Sequence, residues 1–440
     1  MPASLPQHSP AVLPGQQEQL QAIIGRVWQC GGFFERKLRE AGFRPGSVPS
    51  LSEFLSAMPM TSKEELVADH LAHPPFGSHA LVSPAQCRRF SQTSGTSNGT
   101  PLMWLDTAAN WQAMLACWRR VFTAAGLRPG EDRIFFAFSF GPFLGFWTAF
   151  EAACEDYLCI PGGGMSTLAR LELMARSGVT VLCCTPTYAQ RMGEQLGQLT
   201  PGLRQALRAS LRTLVVAGEP GGSVPEVREA MQKLWGARVF DHHGMTEVGP
   251  VTYEDAAQPL CLRLIEEAYL AEVLDPATGL PVADGQCGEL VLSTLARADT
   301  PLLRYRTGDL VRSGRDAVGW RFEGGILGRL DDMLVVRGQN VYPSAIEAVV
   351  RRTGKVGEFL LHHSQVDSMA ELELFAEPLA SAPEGWQCLL QEALRDQLGL
   401  RIEVRARPQG SLPRSDFKTR RICRSLPPSL LASDVQSTSP

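Results

Sequence analysis

Between residues 130 and 310, short apolar runs alternate with helical patterns, and nothing else in the chain limits its fold as much. RIFFAFSF, VTVLCCT, LRTLVVAG and ARVFDHH read as buried strands of a mainly parallel sheet. Most of them end in Gly, Pro or Thr, the punctuation expected at the C-terminal edge of such a sheet. That edge is where open α/β sheets bind ligands. With 440 residues the chain is too long for one ordinary core, and two domains are expected. The predicted fold class is α/β: a large N-terminal α/β domain with a helical N-terminal part, then a small, mobile α+β C-terminal domain. The boundary is placed at 330/331, giving 1–330 and 331–440.

In the N-terminal part, Leu20, Ile23, Ile24, Val27 and Trp28 share one helical face, and MTSKEEL (60–66) is a helix start capped by Thr61 or Ser62. Residues 268–295 read as two strands joined across a DPATG turn. In the last hundred residues SAIEAVVRR is a helix, LELFAEP a strand, and Trp386, Leu390 and Leu394 lie on one apolar helical face. The last fifteen or so residues are predicted to be disordered. A net charge of −4 gives no global field toward nucleic acid or an acidic membrane, and no apolar run is long enough to span a bilayer. The N-terminus lacks the pattern of a signal peptide. The eleven Cys contain no CxxC, so reduced thiols and a cytoplasmic location are expected.

Four stretches carry chemistry. FSQTSGTSNGTPLMW (90–104) has the small hydroxyl and Gly residues of a phosphate-wrapping loop, yet no Lys or Arg. VFDHHGMTEVGP (239–250) sets Thr246, a donor to phosphate, and Glu247, a ligand for Mg²⁺, just after a strand. RYRTGDL (304–310) places Asp309 in a turn at a strand end, where a carboxylate suits the two ribose hydroxyls. GRLDDMLVVRGQNVYPSAIE (328–347) supplies an Arg, two Asp, a strand, a Gly turn and a helix start. Each alone is an ordinary loop or turn.

Together and in this order they resemble the adenylate-forming superfamily of acyl-CoA synthetases and adenylation domains, closest to its phenylacetate–CoA ligase branch. AGEPGG (217–222), DTPLLRYRTGDLVR and the N-terminal FFERKLREAGFRPGSVPSLSEFLSAMPMTSKEEL carry the branch assignment. The resemblance spans about 15–425. It implies a ligase that uses ATP, Mg²⁺ and coenzyme A to adenylate a carboxylic acid and pass the acyl group to the CoA thiol. A carrier-protein thiol as acceptor, or a nucleotide-binding homologue without turnover, are the alternatives; a homodimer is compatible with either.

The resemblance also assigns roles. Thr93, Ser94, Gly95 and Thr96 would cover the β- and γ-phosphates; Gly218, Glu219 and Pro220 would line adenine. His243 would stack on it, in place of the more usual Tyr. Thr246 would touch the α-phosphate, Glu247 hold Mg²⁺, Asp309 bind ribose, and Arg329 reach ribose or phosphate. Asp331 would be the hinge, Gly338 would face the pantetheine, and Lys418 would act at the α-phosphate. The loop would then take its positive charge from Mg²⁺, Arg329 and Lys418. TSGTSNGTP is one residue longer than the family's usual loop, with Thr100 at the Lys position, and Phe417 stands where Gly is common. Where some members carry Cys and His after the TE pair, this chain has Asp255 and Arg263. FAFSFGPFLGFW (136–147) is equally a core strand or the wall of the acid pocket, with Phe140, Phe143 and Trp147 around a flat ring. No Arg or Lys lies in that stretch, which argues against a dicarboxylic acid.

Overall fold

The four apolar runs become Arg133–Phe136, Val181–Cys184, Thr213–Val216 and Arg238–Asp241, all parallel. This is a computed structural model; it describes residue 13 and residues 15–93, 101–332, 334–336, 339–366, 369–413, 421–423, 425, 426 and 430. A fifth parallel strand, Leu158–Pro161, adds at the edge beside Arg133–Phe136. It was not foreseen, because an edge strand is half exposed and lacks the continuous apolar run. The chain order across the sheet therefore reverses between Arg133–Phe136 and Val181–Cys184.

Alternation along the strands sends side chains to two cores. Ile134 and Phe136 pack with Leu144, Ala149 and Ala152 of helix Leu144–Cys154. Phe135 faces the other side, with Leu171 and Met174 of Thr167–Arg176, Ala189 of Pro186–Glu194 and Met231 of Pro225–Trp235. These helices start where the sequence supplies caps. Ser166 accepts from Ala169 N, and Thr185 accepts from Tyr188 N ahead of Pro186. Ser62 and Glu65 form a full capping box at Lys63–Ala72. Gln16–Cys30 buries Leu20, Ile23, Ile24 and Val27 as predicted.

A four-stranded antiparallel sheet follows: Tyr269–Leu274, Cys287–Thr294, Tyr305–Arg312 and Ile326–Arg329. Its first two strands are joined through DPATG, where Asp275 Oδ1 accepts from Ala277 N and Thr278 N. Asp309 is not in a turn at a strand end. It lies inside Tyr305–Arg312, paired in register with Arg329. Gly308, at φ 73°, and a bulge opposite Cys287–Thr294 let the strand carry on past it.

The C-terminal part has its own core of Ile346, Val349, Leu374, Leu390 and Leu394. Helices Pro343–Arg352 and Trp386–Leu398 supply part of it, with a sheet ordered Glu403–Ala406, Met369–Pro378, Val356–Val366, Ile422–Cys423. Leu430 is buried against Leu360, Phe375 and Leu412, so the tail expected to be disordered is packed at that point. Among the described residues no helix is long and apolar enough to cross a membrane.

Candidate functional site

The TE pair follows strand Arg238–Asp241 and sits in the tight turn between the short paired strands Gly244–Met245 and Gly249–Pro250. His243 N donates to Thr252 Oγ1 at 3.0 Å, and the backbone N–H groups of Val251 and Thr252 donate to the His243 carbonyl. The turn is pinned from outside by Arg297. Its Nη1 donates to the carbonyls of Thr246 and Glu247, while Nε and Nη2 grip Asp106 at 2.7 and 2.6 Å. Asp106 ends the strand Met103–Asp106, which pairs with Arg89–Gln92. Arg297 thus fastens this strand pair to the TE turn.

His243, Asp309 and Arg329, far apart in sequence, converge. Asp309, 2% exposed, takes Arg329 Nη1 on Oδ1 at 2.8 Å and meets His243 Nε2 through Oδ2 at 2.9 Å. The Asp309 carboxylate holds the Arg329 guanidinium above its ordinary pKa. Arg329 Nη2 also donates to the Thr307 carbonyl at 3.1 Å and reaches Asp331 at 3.5 Å. Asp331 sits in the short turn Leu330–Asp332 directly after the strand.

Glu247, 4% exposed, forms an ion pair with Lys63 Nζ at 3.2 Å and accepts from Tyr305 OH at 3.5 Å. Lys63 went unnoticed in the sequence, although it is the first residue of the well-capped helix Lys63–Ala72. It brings a cation to the TE carboxylate, where the stretch 90–104 has none to offer. Arg297 was missed too; nothing in LARADTPLL marks it until the turn it holds is folded.

Gly218, at φ 93°, Glu219 and Pro220 follow strand Thr213–Val216. Glu219 Oε1 accepts from Thr187 N at 2.8 Å; burial raises its carboxyl pKa, and that hydrogen bond works against the rise. Thr93 is buried, its N–H donating to the Leu102 carbonyl and its hydroxyl accepting from Leu102 N. Ser94, Gly95, Thr96, Gly338 and Lys418 lie outside the described residues. Arg421 just beyond is held by Glu347 at 2.7 Å and Glu358 at 3.0 Å.

A cavity of about 590 Å³ opens beyond strands Arg133–Phe136 and Val181–Cys184. From the aromatic stretch it takes Phe138 and Phe146, not Phe140, Phe143 or Trp147. Phe140 packs edge-on against Trp147 and Phe150, Phe143 precedes the helix Leu144–Cys154, and Trp147 is 39% exposed with Nε1 donating to Gly141. At the two positions where some members carry Cys and His, Arg263 clamps Asp255 at 2.6 Å and also reaches Asp316 at 2.9 Å.

Residues 72–296 match the AMP-binding enzyme family and 338–425 match the AMP-binding enzyme C-terminal domain. The phenylacetate-coenzyme A ligase of Thermus thermophilus is 31% identical over 92% of this chain and 95% of its own length. Crystal structures of a 2-hydroxyisobutyryl-CoA ligase, 28% identical, cover 96% of this chain and 92% of their own. The postadenylation state with 2-HIB-AMP superposes with a TM-score of 0.86; the thioesterification state, with 2-HIB-AMP and CoA, gives 0.68.

Proposed function

This chain belongs to the AMP-binding enzyme family and is an AMP-forming acid–CoA ligase of the phenylacetate–CoA ligase branch, and from that premise we propose that its acid is an aryl or arylacetic acid. ATP and CoA are its co-substrates. The observation carrying the site assignment is the convergence of His243, Asp309 and Arg329 on one side and Lys63 with Glu247 on the other. The first group offers a ribose acceptor beside a ring that can lie on adenine. The second offers charge for phosphate.

In the first half-reaction the acid's carboxylate attacks the α-phosphorus, an O–P bond forms, and the bond to pyrophosphate breaks. Negative charge grows on the oxygens around phosphorus, so cations fixed there lower the barrier. Thr246 donates to the α-phosphate, Lys418 supplies charge there, and Lys63 does so from the Glu247 side. Glu247, an oxygen donor of the hard kind and nearly buried, fits Mg²⁺. That ion, when bound, neutralises phosphate charge. In the second half-reaction the CoA thiolate attacks the acyl-adenylate carbonyl and AMP leaves.

Both reactions at one centre require Lys418 to withdraw, so the C-terminal domain, with its boundary at 330/331, turns about Asp331 and brings Gly338 toward the pantetheine. The gap between the TM-scores, 0.86 against 0.68 for two states of one relative, supports an adenylate-stage arrangement here. So does the contact of Arg352 in the C-terminal part with Glu226 of helix Pro225–Trp235, at 2.5 Å. The test is a panel of phenylacetate, benzoate, acetate, succinate and palmitate, scored for pyrophosphate and for AMP with and without CoA. Aryl acids should lead in kcat/KM. Preference for palmitate or acetate would overturn the acid assignment.

A further inference from the structure

We propose that the 590 Å³ cavity reads an anionic group at the far end of the acid through Arg170, an inference that rests on the aryl-acid reading above. The cavity stands where the strand order reverses, the crevice in which open α/β sheets take ligands. Its volume suits a substituted ring. On one side Phe138 and Phe146 stack, with centroids 4.1 Å apart and planes 14° apart. Arg170 supplies the opposite chemistry. It comes from helix Thr167–Arg176, outside the aromatic stretch that argued against a dicarboxylic acid, and that exclusion is withdrawn.

Arg170 is 9% exposed. Its Nε donates to the Gly162 carbonyl at 2.8 Å, its Nη1 to the Tyr188 hydroxyl at 2.5 Å, and its guanidinium lies 5.1 Å from the Tyr188 ring centroid. All of these partners are neutral, and no carboxylate among the described residues pairs with it. A guanidinium keeps its proton, and a buried charge without a counter-ion is costly. A carboxylate entering the cavity would supply that counter-ion and accept from the fork. Two capped helix starts, at Ser166 and Thr185, face the same space and add partial positive charge. The cavity also adjoins the nucleotide side: Tyr188 lines it, and the neighbouring Thr187 N holds Glu219.

The acid class is therefore an arylacetic acid bearing a second carboxylate. The experiment compares kcat/KM for 4-carboxyphenylacetate and phenylacetate, by pyrophosphate release, in wild type, Arg170→Met and Arg170→Lys. Wild type should favour the dicarboxylate at least about tenfold. Arg170→Met should cut that ratio by about 30-fold or more, as expected for one partner of a buried charge pair, and Arg170→Lys should recover part of it. A general loss of structure lowers both acids together and leaves the ratio alone. Should the Met variant fail to fold, Arg170→Gln keeps a donor for Tyr188 without the charge. A wild type preferring phenylacetate, or a ratio indifferent to Arg170, overturns the inference and leaves the ligase reading standing. If neither acid releases pyrophosphate, the aryl-acid reading fails instead. Calorimetric titration with 4-carboxyphenylacetate then decides: binding lost in Arg170→Met supports the site, and absent or unchanged binding overturns it.

Discussion

Replacing Asp309 by Asn changes the charge at the centre of the proposed nucleotide site and almost nothing of its shape. The carboxylate is 2% exposed and paired with Arg329 at 2.8 Å. At an effective dielectric near 20, that separation corresponds to a direct attraction of about 6 kcal/mol. Desolvation offsets most of it, leaving the ~1.5–3 kcal/mol typical of a hydrogen bond to a charged group. If Asp309 also accepts the ribose hydroxyls, the amide should weaken ATP by a similar amount, roughly 10- to 100-fold. Stability alone could mimic this, so the assay is a cycle. ATP and 2′-deoxy-ATP are titrated calorimetrically into wild type and Asp309→Asn, alongside thermal unfolding of both proteins. The 2′-hydroxyl should be worth ~1 kcal/mol or more to wild type and much less to the variant. Coupling within about 0.3 kcal/mol of zero would mean that the mutation and the hydroxyl act independently. The ribose role of Asp309 would then be refuted, whatever the variant's melting temperature.

Lys418→Ala should slow adenylation by about 10²–10³-fold and spare thioester formation from supplied acyl-adenylate; an equal loss in both would reassign Lys418. Asp331→Pro, which fixes φ and removes an N–H, should leave pyrophosphate release intact and slow transfer to CoA, and normal overall turnover would move the pivot elsewhere. Lys63→Met should lower pyrophosphate release by about 10²-fold or more, the usual size for one electrostatic group; unchanged release would make the Lys63–Glu247 pair merely structural. Burial pushes the Asp241 carboxyl up to about 7. The folded state therefore holds a proton that the unfolded chain has lost, and this group's contribution to stability falls as pH rises from about 4 through 7. Asp241→Asn should flatten that part of the melting-temperature profile, and an identical slope in both proteins would count against the buried acid.

The parallel sheet was legible because a strand buried on both faces writes itself as an unbroken apolar run. Leu158–Pro161 was not, since only one of its sides is covered. Thr246, Glu247, Asp309 and Arg329 were proposed from motifs that keep their spacing in any fold. Lys63 and Arg297 were hidden because their partners lie 184 and about 190 residues away, at Glu247 and Asp106. Only the folded chain brings such pairs together. The strand position of Asp309 was misjudged for a local reason: TGD is common turn chemistry, and here Gly308 serves a bulge against Cys287–Thr294. Arg170 was hidden in the same way, because it reaches the cavity lined by Phe138 and Phe146 from another helix.

Arg421 sets a length. Its guanidinium is fixed to Glu347 and Glu358, and the other end of the intervening segment is held where Glu377 accepts from Gly410 N and Leu412 N. Lys418 is three residues from Arg421. Even a fully stretched chain spans only about 3.3–3.6 Å per residue, so three residues from an anchor amount to about 11 Å at most. If Lys418 acts at the α-phosphate as proposed, Arg421 would tie its reach to the small domain's core. A thiol would then gain access only when that body itself moves.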